Sequence, residues 1–269
     1  MTPHRYIFVG GLHRSGTSLV ARLIGDLPGV SAINAAPVPE NEGVYLQGAI
    51  PHTARHGSPM HFATDPAQHH IEGSHFDRLE TQMRLERDWA PYFDDAPWRV
   101  EKSPVNLTRM RLYQQLFPLS QFVVVTRHPE AVAAATSKWV DMDPTAMMDH
   151  WLDAYDIVSR DIDYLHAVIT IRYEDLVAHP TATLARLAAF LDVDAEPTPS
   201  DIRDGNQDYA GTTTLSPAQA ERAAAWGYGA GLQVQHWAGV TRHPLRRIAE
   251  NVEAASGGDR RPNCGLIQI

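Results

Sequence analysis

YIFVGGLHRSGTSLV, residues 6–20, is the stretch on which the reading of the fold turns. Tyr6, Ile7, Phe8 and Val9 form an apolar run rich in β-formers, and Leu19, Val20, Leu23 and Ile24 then recur at helical spacing. The glycine-rich stretch between them therefore joins a strand to a helix. Gly11, four residues, Gly16, Thr17 and Ser18 follow the phosphate-loop spacing G-x4-G-K-[ST] everywhere except at the lysine, which is Thr17 here. Glycines let successive N–H groups and a helix N-terminus converge on one anion, so the cradle itself is kept. A neutral threonine cannot neutralise the β and γ phosphates as that lysine does, which argues against ATP hydrolysis. The nearby cation is Arg14 instead, on the opposite side of the cradle.

Outward from this loop the chain alternates strand and helix. Strands are expected near residues 5–10, 30–35, 99–101, 121–126 and 167–172, and helices near 16–26, 76–87, 107–116, 130–138, 147–165 and 181–191. Residues 36–75 carry prolines and glycines at short intervals and read as an irregular insert. The alternation predicts an α/β fold of three layers, with a mainly parallel central sheet flanked by helices. Residues 1–195 form the expected core. Residues 196–269, opened by Pro197 and Pro199, read as a C-terminal helical cap of the same domain.

A chain of 269 residues with 43% hydrophobic and 20% charged residues suits one large soluble domain. Its net charge of −9 argues against nucleic acid or an anionic membrane as main partner, since both demand basic surface. No apolar run approaches the length of a membrane span, and no signal-like region precedes the first strand. The one cysteine, Cys264, cannot form an internal disulfide, which points to a reducing cytoplasm.

In an open parallel sheet the ligand sits beyond the carboxyl ends of the strands. Three such positions are basic: Arg14 after the first strand, Lys102 after Arg99-Val100-Glu101, and Arg127 after the strand that ends at Thr126. One basic residue there is commonplace. Three in an acidic protein point to a bound anion. The loop R-S-G-T-S resembles the 5′-phosphosulfate loop of sulfotransferases that use 3′-phosphoadenosine 5′-phosphosulfate (PAPS). VEKSPVNL, residues 100–107, is similar to the E-K-S-P-x-N-L stretch of a bacterial branch of that family, and its lysine to the lysine of tyrosylprotein sulfotransferases. VVVTRHPEAVAAATSKW, residues 123–139, resembles the family's 3′-phosphate motif, and IRYEDLVAHPTATLARLAAFLDV, residues 171–193, its R-Y-E-D-L segment.

The resemblance implies sulfuryl transfer from PAPS to a hydroxyl on a small molecule, carbohydrate or peptide, with no metal required. It implies that Arg14, Ser15, Gly16, Thr17, Ser18 and Lys102 bind the 5′ side of the donor and that Arg127 binds its 3′-phosphate. In the family a serine follows that arginine by eight residues. Here the position is Ala135, leaving Thr136 or Ser137 as sources of the hydroxyl, and Ser137 is the candidate carried forward. The acceptor needs a base. Glu42, in the turn bracketed by Pro39 and Gly43, is the first choice, then Glu40, then His52 or His56 among the six histidines between His52 and His75, whose spacing fits no standard zinc pattern. Catalysis is thus expected from Arg14, Glu42 and Lys102. Two alternatives stay open: a PAPS or nucleotide sensor without transfer activity, and an atypical P-loop kinase.

Overall fold

The computed structural model describes residues 4–54, 60–195, 202–209 and 213–256. Five strands run parallel: β1 (Arg5–Gly10), β2 (Val30–Ala32), β3 (Trp98–Lys102), β4 (Gln121–Thr126) and β5 (Val168–Arg172). Side chains alternate across each strand, so Ile7 and Val9 face one side of the sheet while Tyr6 and Phe8 face the other. Both sides are covered, which is why β4 reads as an unbroken apolar run and is buried throughout.

On the Ile7 side lie α1 (Thr17–Gly25) and, later in the chain, α6 (Tyr173–Ala178) and α7 (Pro180–Leu191), packed on Val123, Val125, Ile169 and Ile171. On the Tyr6 side lie α2 (Leu79–Trp89), α3 (Met110–Leu116), α4 (Pro129–Thr136) and α5 (Pro144–Ile162). There the core is aromatic. Phe8 meets Tyr113 at 4.5 Å between ring centroids, Tyr6 meets Phe117 at 4.6 Å, and Trp89 closes the cluster. Residues 36–75 contribute only single 3-10 turns among the described residues, at Pro39–Asn41, Gly43–Tyr45, Phe62–Thr64 and Pro66–Gln68.

Three details differ from expectation. Helix α5 starts earlier than expected because Asp143 caps it, accepting from the amides of Thr145 and Ala146, with Pro144 at its first position. Helix α6 was not expected; at six residues it is too short to show a period. The tail brings more than its helices α8 (Pro217–Ala223) and α9 (Arg246–Ala255): a small hairpin, β6 (Tyr228–Gly229) and β7 (Gln233–Val234), and an edge strand, β8 (Thr241–Arg242). β8 pairs antiparallel with β5, giving the sheet order β2-β3-β1-β4-β5-β8. No helix among the described residues is long and apolar enough to cross a membrane.

Candidate functional site

Parallel register brings the strand ends level. Val9 pairs with Lys102 on one side and Val123 on the other, and Thr126 pairs with Arg172. The turn after β1 needs its glycines. A Cβ on Gly11 would lie 2.5 Å from the carbonyl oxygen of Val125, and Gly16, at φ 94°, would press one within 2.8 Å of the Tyr173 ring. Arg14 also has a positive φ, 66°. Helix α1 then begins with no side-chain cap and no acidic residue in its first turn, so its leading amides face the loop without a built-in anion. Ser15 and Thr17 are buried under this turn, and the exposed Ser18 hydroxyl donates to Glu40 Oε2 at 3.1 Å.

At the end of β3, Lys102 Nζ donates to Glu42 Oε1 at 3.0 Å, with both side chains under 10% exposed. Burial raises the Glu42 carboxyl to about 6 although Lys102 pulls it down, and the neighbouring Glu101 and Glu40 add to the rise. The turn that carries Glu42 rests on Glu101, which is fully buried and accepts from Gly43 N at 3.0 Å, Ser103 Oγ at 2.5 Å and Asn106 Nδ2 at 2.6 Å. Gly43 has no room for a side chain, since a Cβ would sit 2.6 Å from Glu101 Cγ and 2.9 Å from Trp89 Nε1. Burial likewise raises the Glu101 carboxyl. Glu40 is exposed, at φ 52°, so of the two turn glutamates only Glu42 points inward to the lysine. His52 packs edge-on against Tyr45, and His56 lies outside the described residues. A cleft of about 650 Å³ opens between α1, β2 and this turn, with Ser18, Glu40, Asn41 and Lys102 among its walls.

Arg127, after β4, is 6% exposed. Its Nη1 donates to the Arg14 carbonyl at 3.0 Å and its Nε to Asn206 Oδ1 at 2.7 Å, while the guanidinium lies 4.4 Å from the Tyr173 ring centroid. Nη2 is buried without a hydrogen-bond partner among the described residues. The exposed Arg14 guanidinium stands 5.0 Å from the ring of Trp139, itself 58% exposed. Along α4, Ala135 is buried, the Thr136 hydroxyl is buried, and Ser137 is exposed with its hydroxyl donating to Ala134 O at 2.8 Å. Arg14, Arg127 and Tyr173 thus come together, whereas the Ser137 hydroxyl turns onto its own helix.

Several groups around the site lie within the motifs quoted above, but what they do shows only in the fold. Glu174 accepts from the His128 amide, from Asn206 Nδ2 and from the Tyr228 hydroxyl, and Glu130 accepts from the amides of Leu215, Gly231 and Leu232. These carboxylates tie the tail to the strand ends. Glu101 and Asn106 likewise belong to a motif, the EKSPVNL stretch. Of the histidines, His150 and His70 are both lowered to about 4, chiefly by burial, and so are neutral near pH 7. Among the described residues no group of three or more His, Cys, Asp or Glu side chains is placed to hold a metal ion.

The pattern of the sulfotransferase family matches residues 6–197. Solved structures with the same fold include sulfotransferase STF1 from Mycobacterium tuberculosis, 17% identical, with 94% of this chain and 76% of that one covered at a TM-score of 0.50. Sulfotransferase STF9 from Mycobacterium avium is 14% identical, with 83% of this chain and 76% of that one covered, also at a TM-score of 0.50. At such identities the likeness concerns the fold alone. Comparison with curated proteins gives no significant match.

Proposed function

The chain belongs to the sulfotransferase family, and from that premise we propose that it moves a sulfuryl group from PAPS to a hydroxyl acceptor in the cytoplasm, without a metal. The observation that carries the reading is the buried Lys102–Glu42 pair at the strand ends. It holds a cation for a departing anion next to a carboxylate raised to about 6, a value suited to taking a proton near neutrality.

The residues present fit the donor. The unpartnered Nη2 of Arg127 offers a buried donor for a 3′-phosphate, and the uncapped start of α1 offers amides for a 5′-phosphate. PAPS, when bound, supplies a sulfuryl group on a phosphate leaving group. The amides of residues Ser15, Gly16, Thr17 and Ser18 hold the 5′ side, and Arg14 and Lys102 stabilise the negative charge that grows on the bridging oxygen as the S–O bond breaks. Glu42 accepts the acceptor's proton as the new S–O bond forms, and its pairing with Lys102 keeps the carboxylate oriented. Arg127 selects a nucleotide with a 3′-phosphate.

Calorimetric titration of the protein with 3′,5′-ADP, ATP and GTP tests this reading. The bisphosphate should bind more tightly than either triphosphate, with or without Mg²⁺. A preference for a triphosphate with Mg²⁺ would falsify it in favour of kinase chemistry, and bisphosphate binding without sulfation of any hydroxyl in a PAPS screen would leave a nucleotide sensor.

A further inference from the structure

Helix α4 lacks a hydroxyl at Ala135, and the nearby Ser137 hydroxyl is engaged with Ala134 O at 2.8 Å. Tyr209, from a 3-10 turn of the tail spanning Gln207–Tyr209, clusters there with Ala131 and Ala135. The three form a small buried cluster of their own, separate from the two cores of the sheet. The Tyr209 ring faces cations. The Arg127 guanidinium lies 5.5 Å from its centroid and Lys138 Nζ 5.2 Å.

The turn is held there by the site itself. Asn206 Oδ1 accepts from Arg127 Nε at 2.7 Å, and the Tyr173 hydroxyl accepts from the Gly205 amide and donates to the Arg203 carbonyl, each at 2.9 Å. Burial pushes the Tyr209 phenol up, yet a hydrogen bond from Arg14 and the charges of Lys138, Arg14 and Arg127 outweigh it and hold the phenol below its ordinary value. Two cations close to the ring, with Arg127 and Lys138 5.5 and 5.2 Å from its centroid, make this side chain a place where an anion would be welcomed.

We propose that Tyr209 supplies the hydroxyl of the 3′-phosphate site, donating from the tail to the phosphate that Arg127 holds, in place of the hydroxyl that Ala135 cannot give. The inference rests on the donor reading above and deepens it. Lys138 becomes a further cation of the same site, and residues 203–209 become a wall of the donor pocket.

Tyr209→Phe tests this, because it keeps the ring, its cluster with Ala131 and Ala135 and its contacts with the cations while removing only the oxygen. A hydrogen bond to a charged group predicts that affinity for 3′,5′-ADP falls about tenfold or more while affinity for 5′-AMP is unchanged. Arg127→Ala, measured alongside, reports on the parent reading. If Tyr209→Phe leaves the ratio of the two affinities intact while Arg127→Ala collapses it, the proposal is overturned and the donor reading stands. If neither variant alters the ratio, both fall. A collapse seen only in Thr136→Val or Ser137→Ala would return the hydroxyl to α4 and also overturn the proposal.

Discussion

Arg127 and Arg172 stand side by side at the ends of β4 and β5, and each is 6% exposed. Burial does not distinguish them, but their partners do. Arg172 donates through Nε and Nη2 to both oxygens of Asp175, at 3.0 and 2.6 Å, and through Nη1 to the carbonyls of Gly227 and Gln235. Arg127 has a neutral amide, one carbonyl and an Nη2 left over. No carboxylate faces it in an ion pair among the described residues. A buried guanidinium without an anion is costly to keep unless something supplies one, so the contrast marks Arg172 as a structural clamp and suits Arg127 to the binding role proposed for it.

The clamp is where the larger loss is expected. Arg172→Ala leaves the Asp175 carboxylate without its partner and frees two carbonyls that anchor the tail, so stability should drop by ~3–5 kcal/mol in urea unfolding. Arg172→Lys should rescue little, because an ammonium cannot reproduce the paired geometry. In the fraction that remains folded, the preference for 3′,5′-ADP over 5′-AMP should persist. A variant that folds with wild-type stability but loses that preference would reverse the roles of the two arginines.

Arg127→Ala should show the opposite pattern. Loss of a charge-assisted hydrogen bond to phosphate, about 1.5–3 kcal/mol, weakens 3′,5′-ADP by roughly 10- to 100-fold and leaves 5′-AMP nearly untouched. Stability should fall by less than in Arg172→Ala, since an unpartnered buried donor disappears and the two bonds lost run to neutral acceptors, with no ion pair broken. Equal losses for both nucleotides, or a stability loss as large as that of Arg172→Ala, would make Arg127 a second clamp and erase the comparison.

The same contrast separates what the sequence discloses from what it hides. Strands β1 and β4 are legible because both faces are buried, and α1 because it repeats an apolar face. Arg14, Lys102 and Arg127 are legible as site candidates because each lies at or just past the carboxyl end of a strand, so chain order alone puts them on one edge. Arg172 ends a strand as well, and only its partners mark it as structural. Asp175 is only three residues on, but the carbonyls are remote, with Gly227 55 residues away, and the tail contact from Glu130 to Leu232 spans 102. Tyr209 is hidden for the same reason. Nothing near it in the chain says that the tail folds back onto Ala135. The two-residue strand β8 is too short for any pattern and exists only because β5 offers it an edge.

The smallest effect concerns a pair that combines both behaviours. Lys102 and Glu42 are ion-paired like Arg172 and Asp175, yet burial outweighs the lysine and raises the Glu42 carboxyl from 4.5 to about 6. A carboxyl whose pKa is raised on folding binds its proton more tightly in the folded state than in the unfolded chain. Its contribution is therefore greatest below pH 4.5 and is lost as pH rises towards about 6, with no further change above. The shift corresponds to at most about 2 kcal/mol. Other carboxyls titrate in acid too, and those of Glu72, Asp88 and Asp192 are lowered, so they pull stability in the opposite direction at lower pH. The measurement is the difference between wild type and Glu42→Gln in urea unfolding from pH 4.5 to 7. Wild type should lose stability relative to the variant across that window, and kcat/KM of the wild type should rise through the same midpoint as the base deprotonates. Parallel stability curves would mean that Glu42 titrates as an ordinary surface carboxylate. The Lys102 pair would then belong with the structural clamp of Arg172, not with the groups held ready for a ligand.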